Sequence, residues 1–265
     1  MTENTPQLSL DPLTGRLQAV ILGLAGGEAL GWPNEQFWGA RLDKHLIRHP
    51  HFQFRSWLKR SGGSYYGHDQ IIQPGQYSGH TQLMLAVARS LRYGPRWADR
   101  FTHFELPFWA QYDQSGRKTS RAAAKLWSDR LPPWSGFRRQ LDIRRYFESA
   151  GNGVLVRIMP LVIFNWEEDS FEPAGQMIVQ NGLATHGHPG ALIGALAVGR
   201  AVWLLLKGRP GGLDLLQLLT GEAAAWSQIP SCFDLSDPWF QAAASLYPDF
   251  RALWQQVAQE MVSLL

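Results

Sequence analysis

A chain of 265 residues that is 45% hydrophobic and 18% charged is long enough to bury one sizeable core and too apolar to stay disordered. Its single cysteine, Cys232, excludes an internal disulfide framework, and the polar stretch from Met1 to Leu10 has no apolar signal core, so a cytoplasmic protein is expected. The net charge of +3 hides an asymmetry, with 20 basic and 11 acidic residues over 1–145 against 5 and 11 thereafter; the basic residues are scattered singly, without a nucleic-acid-binding signature, so nucleic acid is not an expected partner.

Residues 1–12 read as a flexible N-terminus and 13–265 as one domain. From Leu13 to Leu30 the apolar residues recur at helical spacing, with Gly23, Gly26 and Gly27 interspersed, which predicts a helix that ends near Gly31-Trp32-Pro33. Trp38 to Gln76 has no sustained period and is expected to be loop with short helical pieces. Thr81 to Leu91 predicts a helix stopped by Gly94-Pro95. Further helices are expected over Trp97–Tyr112, Thr119–Trp127, Val154–Trp166, Phe171–Thr185, Ala191–Lys207, Gly212–Ser227 and Pro238–Leu265. Ala191–Leu206 is the most apolar stretch, but it falls short of the roughly 20 residues a bilayer requires, so it is expected in the core and no membrane partner is expected. No segment alternates with period two for long enough to predict a strand. The expectation is a compact all-α bundle.

Four segments in order carry a family resemblance. Gly23-Leu24-Ala25-Gly26-Gly27-Glu28-Ala29-Leu30-Gly31 is followed by Glu35; Ser78-Gly79-His80-Thr81 opens a helix; Gly151-Asn152-Gly153 leads to Arg157 and Pro160-Leu161; and Thr185-His186-Gly187-His188-Pro189 precedes the apolar helix. Together they resemble the ADP-ribosylglycohydrolase family, of the dinitrogenase reductase-activating glycohydrolase kind. The resemblance implies an all-α fold with a binuclear magnesium centre at the bottom of a cleft, where the bond between ADP-ribose and a protein side chain is hydrolysed. It also implies that the metal ligands come from a Ser/Thr-Asp-Asp-Thr motif and a late Asp-x-Asp-Thr/Ser motif.

The sequence departs from the family at those ligands. Ser78-Gly79-His80-Thr81 keeps the hydroxyls and lacks both aspartates, and none of the twelve aspartates forms an Asp-Asp or Asp-x-Asp pair. Two adjacent divalent ions repel strongly and need clustered carboxylates, which Ser78 and Thr81 do not supply. An imidazole at His80 suits zinc, copper or nickel better than magnesium. No cofactor is therefore expected, magnesium being retained only if the family's site survives in another form.

Glu35 stands where the family keeps a glutamate near the substrate ribose and is the one catalytic candidate; a surface or capping carboxylate is the alternative. Glu28 reads as a conservative replacement of the family's aspartate at a helix end. The turn Gly151, Asn152, Gly153 is a candidate for ribose or phosphate contact or for pure architecture, and Arg157 for a brace. His186 and His188 are expected to face cleft and core respectively or the reverse; with His80 they compose a possible three-histidine set, packed structural histidines being the commoner outcome. Ser78, His80, Thr81, Gly151, Asn152, Gly153, His186 and His188 are thus the candidate ligand-binding residues. His45, His49, His51, His68 and Cys232 lack a convincing site pattern. The expected function is a pseudoenzyme that binds an ADP-ribose-type ligand or a protein partner. Two alternatives remain: a hydrolase with a non-standard centre, and a structural protein on a recruited enzyme fold.

Overall fold

The computed structural model describes residues 11–35, 53–61, 65–113, 118–135, 140–209, 212–228, 241 and 249–264. Cys232, His45, His49, His51 and most of the predicted segment 238–248 lie outside these residues.

Helix α1 (Pro12–Gly31) starts where Asp11 caps it: the Asp11 carboxylate accepts from the Leu13 and Thr14 N–H groups, and Pro12 at the first position has no N–H to satisfy. A 3₁₀ turn, Trp32–Asn34, buries Trp32 and Pro33. The expected loop contains a short antiparallel hairpin, β1 (Trp57–Ser61) with β2 (His68–Ile72), in which Trp57 pairs with Ile72 and Leu58 with Ile71. The Trp57 ring meets Trp32 edge-on with centroids 5.3 Å apart, Lys59 lies over the same indole at 5.5 Å, and Ile72 is buried. A lysine whose ammonium lies over an aromatic ring reads as polar in sequence although it faces inward, which hides the alternation.

Helix α2 (Gly79–Leu91) presents Leu83, Met84 and Val87 to the core. The predicted segment Trp97–Tyr112 is α3 (Trp97–Arg100), one π turn (Phe101–Glu105) and α4 (Leu106–Tyr112). Pro107 has no N–H for the α ladder, and the wider turn absorbs that gap. Helix α5 (Lys118–Ser128) is close to expectation, whereas α6 (Gln140–Phe147) has no counterpart among the predicted helices. The predicted helix Val154–Trp166 reduces to a 3₁₀ turn at Asn152–Val154 and α7 (Met159–Phe164), because Pro160 sits in the first turn of a new helix instead of inside a long one. Then follow α8 (Glu172–Leu183), α9 (Pro189–Leu206), α10 (Leu213–Trp226) and α11 (Phe250–Leu264).

Helix α9 is the hub, packed against α8, α11, α10, α7 and α1. By length and composition it is apolar enough to cross a membrane, with a mean hydropathy of 1.7. Here its Ala191, Leu192, Ile193, Ala195 and Leu196 are buried among other helices, so the core position expected from the sequence is the one observed. Close approach of α8 and α9 depends on Gly182 and Gly199, where an added β-carbon would lie 2.3 Å from Leu192 Cδ2 and 2.6 Å from Ile178 Cδ1.

The segment between α8 and α9 carries two candidate histidines and is pinned from both sides. Trp127 Nε1 donates to the Ala184 carbonyl at 2.8 Å, the Tyr146 hydroxyl to the Leu183 carbonyl at 2.6 Å, and the Gly187 N–H to the Tyr146 carbonyl at 3.0 Å. A methyl at Gly187 would stand 2.4 Å from the Tyr146 ring and 2.9 Å from Phe147, both buried. At Gly23, on α1, nothing lies within 4 Å. Gly187→Ala is therefore expected to destabilise by about 1–3 kcal/mol through overpacking, and Gly23→Ala to stabilise by up to about 1 kcal/mol through helix propensity. Urea midpoints of the two variants check the contrast.

Candidate functional site

The first part of the site is the junction of α1 with the start of α2. Ser78 is the N-cap of α2, with extended backbone, and its Oγ accepts from the His80 N–H at 3.3 Å. Its own N–H donates to Glu28 of α1, 2.8 Å to Oε2 and 3.2 Å to Oε1. The Thr81 hydroxyl donates to the same Oε2 at 3.1 Å. Ser78, His80 and Thr81 are all buried. One carboxylate thus answers the partial positive charge of a helix N-terminus and fixes the two hydroxyl residues that open the helix. From the sequence Glu28 amounts to no more than a conservative change at a helix end; its position fifty residues before its partners gives no local signal of this bond.

The second part is the Gly151-Asn152-Gly153 turn and the histidines beside it. Gly151 is extended and neither glycine has positive φ. The turn sits against imidazoles: a β-carbon at Gly153 would lie a tight 3.3 Å from His186 Cε1, 3.5 Å from its Nε2 and 4.0 Å from His80 Nε2, whereas one at Gly151 would make only ordinary contact, 3.6 Å from His186 Nε2. His80, Gly151, Gly153 and His186 therefore come together, while Asn152 is exposed. His186 Nδ1 is 2.7 Å from Thr185 Oγ1. His188 serves the next helix instead. Its Nδ1 accepts from the Gly190 N–H at 2.9 Å and caps α9, and partial burial holds its pKa below the ordinary imidazole value. Glu35 is exposed at the end of the 3₁₀ turn, where its N–H bonds to the Trp32 carbonyl.

Arg157 is the brace that its motif suggests. It is fully buried, donating at 2.7 Å to both the side-chain and the backbone oxygen of Asn181 and lying over the Phe101 ring. Burial pushes its pKa down to about 9, opposed by the nearby Tyr146 phenol. The same burial raises the Tyr146 phenol well above its usual value, so it stays neutral.

The third part is a pocket of about 660 Å³ beside α5 and the end of α6. Lys118, Lys125 and Arg145 line it against one carboxylate, Glu148, which is paired with Arg144 at 2.6 Å. Tyr146 and Thr185 contribute buried lining, and Thr119 and Ser149 add hydroxyls 3.3 Å apart. Thr185 belongs both to this pocket and to the hydrogen bond of His186, so the pocket adjoins His186. Sequence patterning misses Lys118, Lys125 and Arg145 because they are single cations on two helices; their one legible trace is the basic bias of the first half.

The family model for ADP-ribosylglycohydrolase matches residues 9–263, nearly the whole chain. No curated protein matches the chain. The donor set at the α1–α2 junction does not suit the family's pair of magnesium ions: Gly79 has no ligand atom, His80 supplies nitrogen, and the one carboxylate is engaged by Ser78 and Thr81. Among the described residues no three His, Cys, Asp or Glu side chains are grouped to hold a metal.

Replacing Glu28 by Ala leaves the Ser78 N–H and the Thr81 hydroxyl, both buried, without their acceptor. The expected loss of stability is about 2 kcal/mol, with Glu28→Gln losing less because an amide oxygen still accepts; chemical denaturation of the two variants measures it.

Proposed function

Given that the chain belongs to the ADP-ribosylglycohydrolase family, we propose that it is a binding member working without the binuclear magnesium centre, and that its ligand is of the ADP-ribose type. The observation that carries this reading is the Glu28 carboxylate. It accepts from the Ser78 N–H and the Thr81 hydroxyl, so the hydroxyls that survive from the metal motif are tied into the helix junction. Hydrolysis of a glycosidic bond by the family route requires an ion-activated water, and two hydroxyls beside a glycine and an imidazole do not replace the anionic oxygens that would hold such ions.

The pocket favours a small molecule over a protein partner. Its volume of about 660 Å³ is in the range that encloses nucleotide-sized ligands. Lys118, Lys125 and Arg145 give it a positive potential suited to a diphosphate, and the hydroxyls of Thr119 and Ser149 suit ribose or phosphate oxygens. Buried Thr185 and Tyr146 form part of its wall and suit the ribose end.

Thermal melting separates the outcomes, because a ligand that binds only the folded chain stabilises it, by about 2.7 kcal/mol at a hundred times its Kd. Melting temperature is expected to rise with ADP-ribose, to stay unchanged with magnesium chloride, and to lose its ADP-ribose response in a Lys118→Ala/Lys125→Ala variant. The double change Gly79→Asp/His80→Asp is expected to leave hydrolysis absent. An upward shift with magnesium alone, or hydrolysis by the unmodified chain, would overturn the proposal.

A further inference from the structure

Three of the residues that line the pocket have hydroxyl hydrogens already engaged within the protein. The Ser149 hydroxyl donates to the Arg145 carbonyl at 2.8 Å, and a serine has only that one hydrogen to give. The 3.3 Å bond between Thr119 and Ser149 therefore forms with Thr119 donating and Ser149 accepting. The Tyr146 phenol, which burial keeps neutral, donates to the Leu183 carbonyl at 2.6 Å. What these groups hold for a ligand is lone pairs. Glu148 adds to them: Arg144 takes its Oε1 at 2.6 Å, yet the side chain is 53% exposed and a carboxylate has acceptor positions on both oxygens.

The donors of the pocket are its cations. Lys118 and Lys125 line it, and an ammonium donates without accepting. Inorganic diphosphate, which only accepts, would satisfy the lysines but would bring its charge against the Glu148 carboxylate and its oxygens against those of Ser149 and Thr119. Of the ribose and phosphate oxygens that these groups could meet, only the ribose hydroxyls bring a hydrogen. Two vicinal hydroxyls suit a carboxylate with hydroxyl oxygens beside it, while the phosphates of the same molecule answer the lysines.

We propose that Glu148, helped by the oxygens of Ser149 and Thr119, sets the specificity of the pocket: it accepts from a pair of ribose hydroxyls and favours anionic ligands that carry an intact sugar diol. Such selection rests on the pocket's being the ADP-ribose site, and it adds to that reading the part of the ligand that is recognised.

Calorimetric titration of the full-length chain tests it with ADP-ribose, with the two analogues that lack the 2-hydroxyl of one or the other ribose, and with inorganic diphosphate. ADP-ribose is expected to bind at least about tenfold tighter than one of the two deoxy analogues, because the missing hydroxyl leaves an acceptor unanswered. Inorganic diphosphate should bind weakest. Glu148→Gln removes the charge and turns one acceptor into a donor. It should weaken ADP-ribose by about tenfold, erase the preference over the deoxy analogue and strengthen inorganic diphosphate. Opposite changes for two ligands mark a residue that selects, since partial unfolding would weaken both. Equal affinity for ADP-ribose and both deoxy analogues, in a chain that loses ADP-ribose on Lys118→Ala/Lys125→Ala, would overturn the role of Glu148 and leave the reading of the pocket standing. A Glu148→Gln chain that keeps the preference would do the same. No binding of ADP-ribose by the unmodified chain would sink both.

Discussion

The bond from Glu28 to the opening of α2 governs the rest of the site. It ties a carboxylate on the first helix to the backbone N–H of Ser78 and the hydroxyl of Thr81, and so fixes how α1 and α2 meet. With that junction set, His80 is carried into the interior on the first turn of α2 and reaches the Gly153 turn beside His186. The hairpin reinforces the same place from the other side, because Trp57 packs on Trp32 at the end of α1 and β2 ends a few residues before Ser78. The carboxylate serves the helix N-terminus.

The pinned segment from Leu183 to Gly187 links that junction to the pocket. Tyr146 and Trp127 take its carbonyls, and the Gly187 N–H returns to Tyr146. The residue that lines the pocket and the residue that faces Gly153 are then neighbours, Thr185 and His186. Arg157 stiffens the arrangement from within by holding Asn181 on α8.

Most of the helical architecture is legible in the sequence because α2, α5, α8, α9 and α10 have strong apolar faces or clear stop signals. The hairpin is not, since Lys59, polar by type, faces inward with its ammonium over Trp32. Nor is the break before α7, where Pro160 begins a helix instead of interrupting one. Within the site, the motifs locate Ser78, His80, Thr81, Gly153 and His186, which the fold does bring near one another. They place His188 with them, although it caps α9, and they undervalue Glu28, because spacing in sequence does not show a hydrogen bond between residues fifty positions apart. The three pocket cations are equally hidden, since their meeting depends on how α5 and α6 pack.

The central claim is that the hydroxyls at the α1–α2 junction belong to Glu28 and not to a pair of hard ions. Manganese imitates magnesium at oxygen sites and scatters anomalously, so crystals soaked in manganese chloride give the most direct view. The account predicts no ordered manganese at Ser78 and Thr81, with the Glu28 bonds intact. Two manganese peaks there, with Glu28 turned away from Ser78 or drawn in as their ligand, would contradict it.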